Sequence, residues 1–294
     1  MSGTFLTTRA WLLMLPLLVV MATVIGWPLI DTVRLSFTDA KLVGTGGEFI
    51  GIDNYTKMLA NSSFQRALIT TTWFAVLSVT AEMVLGVAAA LLLNQQFYGR
   101  SVLRALMILP WALPTVVNAT LWRLIYNPEY GALNAALTQL GLLDAYRSWL
   151  GEPGTALIAL IIADCWKNFP LVALIALAAL QSVPREITAA ALVDGAGPIT
   201  RFRIVILPYL AGPLMVALVL RTIEAFKVFD IIWVLTRGGP ANSTRTLSIL
   251  VYQEAFSFQR AGSGVSLALI VTFLVTALAV GYAALVRKAA GSAR

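Results

Sequence analysis

Histidine is absent from this 294-residue sequence, and cysteine occurs once, at Cys165. Without histidine the chain has no histidine-based catalytic dyad, no histidine metal ligand and no histidine pH switch. A single cysteine excludes an intrachain disulfide. Cys165 lies inside an apolar stretch, where we expect it to be a small packing residue. Few kinds of enzyme chemistry therefore remain open.

Charged residues are also scarce. They make up 12% of the chain, whereas 59% is hydrophobic, and the mean hydropathy is +0.83. A water-soluble domain of this composition would lack a polar surface, so we assign the chain to a lipid bilayer. The net charge of +7 does not indicate nucleic-acid binding, because the basic residues are spread singly between apolar runs. Anionic lipid is the counterpart that we expect.

Six apolar windows are long enough to cross a bilayer, whose core of about 30 Å requires roughly 20 helical residues. The windows are residues 10–30, 67–93, 102–126, 154–181, 204–226 and 262–286. The first follows Arg9 but is longer than a signal-peptide core and ends at Trp27-Pro28 without a cleavage motif, so we expect a retained anchor. The windows predict an all-α integral membrane protein with six transmembrane helices.

The density of basic residues predicts the orientation. Six spans place both termini on one side, together with the connection 94–101 and the segment 182–203. Acidic residues on that side are Glu186 and Asp194, and basic residues are Arg9, Arg100, Arg104, Arg185, Arg201, Arg203, Arg287, Lys288 and Arg294. The opposite side has more basic residues in total, but they are spread over longer loops and nearly balanced by acids. We therefore expect both termini in the cytoplasm.

Prolines interrupt the third, fourth and fifth windows, at Pro110, Pro114, Pro170, Pro208 and Pro213. Each proline removes a helical hydrogen bond, and lipid cannot satisfy the freed carbonyl. We therefore expect broken or kinked helices that pack against protein or line a wet cavity, as in a transporter. The alternative is that these prolines reflect only the general frequency of proline in membrane helices.

The segment 183–208 has a distinct pattern. It predicts a short helix from about 185 to 193, a tight turn at Asp194-Gly195 and a second helix that begins near Pro198, since proline suits a first helical turn. Small residues allow another backbone to approach closely; they are Ala189, Ala190, Ala191, Gly195 and Ala196. Two short helices that meet at a small-residue corner predict a docking surface.

The spacing of Ala189-Ala190, Asp194-Gly195-Ala196, Phe202 and Leu207-Pro208 resembles the EAA loop of binding-protein-dependent ABC importer permeases. The resemblance to MalF-like sugar permeases covers nearly the whole chain. The other matching motifs are Phe49-x-Gly51-x-Asp53-Asn54-Tyr55, Leu91-Leu-Leu-Asn94, Leu109-Pro110-Trp111 with Pro114, Trp122 with Tyr126-Asn127-Pro128 and Gly131-x-x-Asn134, and Leu235-Thr-x-Gly238-Gly239-Pro240 with Thr244. In this order the motifs are highly specific.

This resemblance implies the type I (MalF/MetI-like) permease fold in a bacterial plasma membrane. It implies an anchor helix and first outer loop in residues 1–66 and a permease core in residues 67–294. The implied partners are a second, similar permease subunit, two ATP-binding cassette ATPase subunits, an extracytoplasmic sugar-binding protein and the sugar. The chain has no glycine-rich phosphate-binding motif of its own, so we expect the partner subunits to bind ATP and Mg.

The resemblance also assigns the ATPase contact to segment 183–208. The residues expected there are Glu186, Ala189, Ala190, Asp194, Gly195, Ala196 and Arg201. One position departs from the family pattern, because the leading glutamate of the loop falls at Ala189. Glu186, three residues earlier on the same helix, is a candidate to replace it. The alternative is a surface loop without a partner.

Charged residues also occur at membrane depth: Asp164 and Lys167 in the fourth window, and Arg221, Glu224 and Lys227 toward the end of the fifth. A charge at the centre of a membrane helix costs about 2.5–3.5 kcal/mol on insertion scales, so each requires a partner or water. Neighbouring charges are three residues apart. Mutual neutralisation and a role in a substrate cavity are therefore both open.

In the MalF-like pattern, sugar contacts come from the helices before and after the EAA loop. The matching positions, with the charged Glu224 added, are Asp164, Trp166, Asn168, Leu171, Arg221, Glu224 and Ala225; weaker candidates are Glu82, Asn118 and Trp122. Aromatic faces and groups that share hydroxyl hydrogen bonds suit a neutral sugar. Similarity to SugA-type permeases makes trehalose the first candidate, ahead of other disaccharides and glycerol phosphate.

Three rival functions are less consistent with the sequence. An ion-coupled secondary transporter predicts an inverted internal repeat and a buried ionisable relay; no clear repeat is seen, and segment 183–208 would be unexplained. An intramembrane enzyme lacks histidine and a metal-ligand cluster, and a non-catalytic structural protein does not require so many prolines in its spans. The sequence therefore favours a permease without enzyme activity of its own, which moves sugar by alternating access driven by separate ATPase subunits.

Overall fold

The structure is a computed structural model that describes residues 13–44 and 46–292. Its helices are α1 (Leu13–Ser36), α2 (Asp53–Ala60), α3 (Ser62–Asn94), α4 (Arg100–Ala112), α5 (Thr115–Ile125), α6 (Ala132–Gln139), α7 (Pro153–Gln181), α8 (Arg185–Val193), α9 (Pro198–Phe226), α10 (Asp230–Leu235), α11 (Leu247–Tyr252) and α12 (Ala261–Ser292). Arg9, Arg294 and the first three residues of the predicted window 10–30 lie outside the described residues.

Five of these helices, α1, α3, α7, α9 and α12, are long and apolar enough to cross a membrane. The pair α4 and α5 makes a sixth span if the two helices are counted together. Each predicted window overlaps one of these spans. The predicted all-α membrane architecture is therefore confirmed, although the third window is two helices and not one.

The third span is broken between α4 and α5, which are bent by 100°. Leu113 precedes a proline and adopts an extended conformation with ψ 138°, as the steric clash with a following proline ring requires. Pro114 is also extended, with ψ 140°, and α5 begins directly after it. The predicted kink of this span is thus a sharp break at a single Leu-Pro step.

The other prolines do not break their helices. Helix α7 continues through Pro170, which is buried, and α9 continues through Pro213. Ahead of Pro208, α9 contains the π-helical turn Phe202–Ile206, and Leu207 donates its N–H to the carbonyl of Phe202. A wider turn before a proline leaves room for the ring, so the helix is locally distorted but not ended. The expectation of a break at Pro170 is therefore wrong.

Two buried clusters hold the helices of the larger unit together. One contains Phe74 of α3, Leu160 of α7 and Ile232 of α10, and the other contains Leu93 of α3 and Leu210 of α9. Helix α7 lies between α4 and α9 and contacts both. At one position α3 approaches α7 very closely, because a Cβ on Gly86 would lie 2.6 Å from the Cβ of Val172. Burial of α7 on several sides makes it the centre of this unit.

The contacts divide the chain into two units, and each is described separately. One comprises the described residues up to Phe64 together with Leu250–Phe273, and the other comprises Gln65–Ile249 with the described residues from Leu274 onward. In the first unit, the buried side-chain amide of Asn54 donates to the carbonyls of Ser36 and Thr38, which ties α2 to the end of α1. The functional division at residues 66 and 67 stays a prediction.

Candidate functional site

Segment 183–208 has the local conformation that the sequence predicts. Helix α8 is followed by Gly195, whose φ of +76° is a left-handed conformation that glycine adopts without strain. The N–H of Gly195 donates to the carbonyl of Leu192, and the N–H of Ala196 donates to that of Ala191. These two bonds form a Schellman motif, which satisfies carbonyls at the end of a helix. Helix α9 then begins at Pro198, so the two-helix corner is confirmed.

The corner presents small and apolar side chains at its surface. Glu186, Ala189, Ala190, Asp194 and Gly195 are exposed, and Ala196 and Arg201 are half-buried. Val193 is 88% exposed, and the neighbouring Leu192 is also exposed. Exposed apolar side chains beside small residues are typical of a surface that a partner covers.

Arg221, near the end of α9, is the centre of a buried ion cluster. Its Nε and Nη2 donate to the two carboxylate oxygens of Glu82 in α3, over distances of 2.6 and 2.9 Å. Nη2 also donates to Oδ2 of Asp164 in α7 at 3.4 Å, and Nη1 donates to the carboxylate of Glu224, one turn along α9. The cluster therefore joins α3, α7 and α9.

Burial makes this pairing necessary. Glu82 has no exposed side-chain surface, and the side chains of Arg221 and Asp164 are 4% and 9% exposed. Removing charges from water is costly unless they are paired and hydrogen-bonded. Glu224 differs, since its side chain is 56% exposed. The cluster thus runs from the protein interior to an accessible surface.

Asp164 and Lys167, like Arg221 and Glu224, are oppositely charged residues three positions apart in the sequence, and in the described part of the chain only the second pair forms an ion pair. Arg221 and Glu224 form the predicted pair within one helix. Asp164 instead pairs with Arg221 of the neighbouring helix, and within 13–44 and 46–292 it forms no ion pair with Lys167. Asn168 donates its side-chain amide to Oδ1 of Asp164 at 2.9 Å. Mutual neutralisation of Asp164 and Lys167 was the wrong interpretation, because the guanidinium offers a buried, multidentate partner across the helix interface.

A cavity of about 320 Å³ lies beside the ion cluster, which we call the central cavity. Its walls come from α7, α9, the bend between α4 and α5, and the turn that leads from α9 to α10. The lining residues are Trp111, Thr115, Asp164, Lys167, Asn168, Arg221, Glu224, Ala225, Lys227, Val228, Phe229, Asp230 and Ile231. It combines acids, bases, a carboxamide and aromatic side chains, which suits a polar ligand.

Five of the residues predicted for the substrate pathway line the central cavity: Asp164, Asn168, Arg221, Glu224 and Ala225. The other two, Trp166 and Leu171, are half-buried and are absent from its lining. Trp166 instead makes an edge-to-face contact with Trp122, with ring centroids 6.0 Å apart. The two helices that the sequence selected therefore do form the cavity, but not with every predicted side chain.

The weaker candidates for the substrate pathway, Glu82 and Asn118, lie in different parts of the structure. Glu82 is the bidentate partner of Arg221 and is therefore more central than predicted. Asn118 is fully buried in α5 and donates to the carbonyl of Ala163 in α7 at 3.4 Å. Nearby, the hydroxyl of Tyr126 donates to the carbonyl of Ala159. These two contacts fix α5 against α7.

The model of the family "Binding-protein-dependent transport system inner membrane component" matches residues 82–291, which include the ion cluster, the central cavity and segment 183–208. The chain belongs to this family. It is a membrane-embedded, multi-pass permease of an ABC importer for sugar transport, and the permease subunit is not itself an ATPase.

Similar permeases are named for different substrates. The chain is 39% identical over 272 residues to the "Trehalose/maltose transport system permease protein MalF" of Thermococcus litoralis, covering 92% of this chain and 91% of that protein. It is 34% identical over 279 residues to the "Sulfoquinovosyl glycerol transport system permease protein SmoG" of Agrobacterium fabrum, covering 95% and 90%. The family therefore defines the class of transporter, but not the sugar.

The fold of the permease also has a solved counterpart. A bacterial ABC transporter involved in the import of the acidic polysaccharide alginate contains a chain that aligns with a TM-score of 0.83 and covers 96% of both chains at 21% identity. At that identity the likeness shows the fold alone.

Sequence reasoning about the permease missed one wall of the central cavity. Trp111 and Thr115 belong to α4 and α5, Val228 and Phe229 belong to the turn after α9, and Asp230 and Ile231 begin α10. Pro114 is the feature of the sequence that could have predicted this wall. A break in a membrane helix exposes backbone that must lie against protein or water. The break brings Trp111 and Thr115 to the same cavity as α7 and α9.

Proposed function

We propose that this permease carries a neutral disaccharide into the cytoplasm, with trehalose as the first candidate. The observation that carries the proposal is the central cavity, which is built from the helices on both sides of segment 183–208. Support for the sugar comes from the 39% identity to the trehalose/maltose transport system permease of Thermococcus litoralis. The finer choice of trehalose rests on that similarity and on the chemistry of the lining.

The lining suits a neutral, polyhydroxylated ligand. Its basic residues, Lys167, Arg221 and Lys227, are matched in number by its acidic residues, Asp164, Glu224 and Asp230. A cavity without excess charge has no electrostatic preference for an anion, which favours a disaccharide over glycerol phosphate. Carboxylates and the carboxamide of Asn168 accept or share hydroxyl hydrogen bonds, and Trp111 offers an apolar face.

The coupling to ATP hydrolysis is proposed to run through α8 and α9. Segment 183–208 contacts the ATPase subunit, with Glu186, Ala189, Ala190, Asp194, Gly195, Ala196 and Arg201 at or near the contact. Helix α9 begins in this segment and continues to Arg221 and Glu224, a distance of about 35 Å at the usual helical rise. A displacement of the corner therefore moves one wall of the central cavity directly, which provides a physical basis for alternating access.

The assembly is proposed to contain this permease, a second similar permease, two ATPase subunits that bind ATP and Mg, and an extracytoplasmic sugar-binding protein. The family description supports the dependence on a binding protein. Both termini are proposed to lie in the cytoplasm, because segment 183–208 must face the ATPase and an even number of spans returns the chain to the same side.

The complete complex in lipid nanodiscs, supplied with its binding protein, tests this function. ATP hydrolysis is measured with trehalose, maltose, sulfoquinovosyl glycerol and glycerol phosphate in turn. We expect the largest stimulation with trehalose and little with glycerol phosphate. Stimulation by glycerol phosphate alone would contradict the neutral-sugar proposal, and hydrolysis indifferent to all four solutes would contradict trehalose as the substrate.

A further inference from the structure

A second cavity, of about 1040 Å³, lies between segment 183–208 and the connection from α3 to α4; we call it the corner cavity. The ends of α3 and α7 form one part of its wall, and α8 with the start of α9 forms the other. Its lining residues are Leu91, Asn94, Gln95, Gln96, Arg100, Leu180, Gln181, Val183, Thr188, Ala189, Leu192, Pro198, Ile199, Arg201, Phe202 and Ile206. Two of the residues predicted for the ATPase contact, Ala189 and Arg201, thus line one open cavity.

The corner cavity is basic. Arg100 and Arg201 line it, and no aspartate or glutamate does. Over the described part of the chain, neither arginine takes part in an ion pair. The Nε of Arg100 is buried and has no hydrogen-bond partner there. A buried guanidinium N–H without an acceptor is unfavourable, and a carboxylate or phosphate oxygen is the acceptor that it binds most strongly.

The remaining polar lining fits a polypeptide. Four exposed carboxamides line the same cavity, namely Asn94, Gln95, Gln96 and Gln181, and Thr188 adds a hydroxyl group. Carboxamides donate and accept hydrogen bonds, so they pair with backbone N–H and C=O groups in several directions. The exposed Val193 continues the apolar side of α8 beyond the cavity. A polypeptide can use these carboxamides through its backbone as well as the arginines through a carboxylate, whereas a lipid headgroup offers the anion without a peptide backbone.

We propose that the corner cavity receives a segment of the ATPase subunit that carries a carboxylate, and that this carboxylate pairs with Arg201 and Arg100. The inference rests on the proposed function, in which segment 183–208 contacts the ATPase. Ala189 lines the same cavity, at the position where the family resemblance places a glutamate. In this importer the arginines of the interface ion pair therefore belong to the permease, and the carboxylate belongs to the ATPase.

Re-binding of the ATPase tests the charge of the partner. The complete permease pair is held in nanodiscs, purified ATPase subunits are titrated in, and the Kd is measured for Arg201→Gln and for Ala189→Glu. Arg203→Gln is the matched control, because Arg203 is two residues away, exposed and absent from the lining. Thermal unfolding of each variant shows that it is folded.

We expect Arg201→Gln to weaken ATPase binding by about tenfold or more, as the loss of one partner of a desolvated ion pair does. Ala189→Glu places a second carboxylate in the cavity and is expected to weaken binding as well. Arg203→Gln is expected to change the Kd by less than about twofold, as exposed charges usually do. An ATPase segment that carries a base would instead bind more tightly to Ala189→Glu, and this result would overturn the proposal.

Two other results also overturn the proposal. One is equal behaviour of Arg201→Gln and Arg203→Gln. The other is an unchanged ATPase Kd for Arg201→Gln with a loss of dependence on phosphatidylglycerol in the nanodisc, which would assign the cavity to an anionic headgroup. In each case sugar-stimulated hydrolysis by the unaltered complex would still stand, so this inference can fail while the proposed importer function holds.

Discussion

Arg221 and Glu82 form a two-point ion pair although 139 residues separate them in the chain. The planar guanidinium matches the carboxylate with two nearly parallel N–H donors, which is the strongest geometry for such a pair. The pair connects α9, which leads from segment 183–208, to α3, and Arg221 also lines the central cavity. Movement of α9 and the shape of the cavity are therefore linked through one side chain.

Glu82→Gln is expected to lower the free energy of unfolding by about 2 kcal/mol. The change leaves Arg221 buried with only Asp164 and the exposed Glu224 as charged partners, and losing one partner of a buried pair is costly. Thermal unfolding of the purified complex in detergent measures the effect. Glu224→Gln is the control, with an expected loss below about 1 kcal/mol because its side chain is 56% exposed. Equal losses for the two variants would show that burial of Glu82 does not matter.

Asn168→Ala is expected to raise the sugar concentration needed for half-maximal ATP hydrolysis by about tenfold, which corresponds to about 1.4 kcal/mol. The carboxamide lines the central cavity and donates to Asp164, so its removal loses one hydrogen-bonding group and frees another. Gln139→Ala, an exposed change at the end of α6, is expected to have no effect. A lower maximal rate at an unchanged half-saturating concentration would argue against a sugar contact.

Gly195→Asp is expected to abolish the stimulation of ATP hydrolysis by sugar. The aspartate adds a side chain at the small-residue corner, and the left-handed φ of +76° adds backbone strain. Gly197→Asp introduces the same charge two residues later, where aspartate is a favourable N-cap for α9. We expect this control to keep most of its stimulation. Sugar-dependent hydrolysis at the normal rate in Gly195→Asp would refute the role of segment 183–208.

Gly86→Ala is expected to destabilise the permease by about 1–3 kcal/mol, the usual cost of overpacking a close contact. The new Cβ would lie 2.6 Å from the Cβ of Val172 and 3.0 Å from the backbone nitrogen of Ala173, so α3 and α7 must separate. Gly212→Ala in α9 meets no atom within 4 Å and is expected to be neutral or slightly stabilising. Thermal unfolding of the purified complex measures both changes, and Val172→Ala added to Gly86→Ala is not expected to restore stability, because alanine keeps the Cβ that lies 2.6 Å from the new methyl group.

The spans and segment 183–208 were predictable because their causes are local. Twenty apolar residues in succession define a membrane helix, and Asp194-Gly195 followed by Pro198 defines where one helix ends and the next begins. The helix α8 and the start of α9 agree with the prediction to within a residue. The break at Leu113-Pro114 was less predictable, because Pro170 is also a helix-interior proline and α7 continues through it.

The sequence by itself determined that this is a helical membrane protein, where its apolar spans lie along the chain and where its small-residue corner turns, since these depend on hydropathy and on hydrogen bonds between near neighbours. Only the tertiary structure decided that Asp164 pairs with Arg221 and not with Lys167, that Glu82 completes the ion cluster, and that Trp111 reaches the central cavity. Those contacts depend on which faces of distant helices meet, and packing of apolar surfaces decides that without leaving a local pattern in the chain.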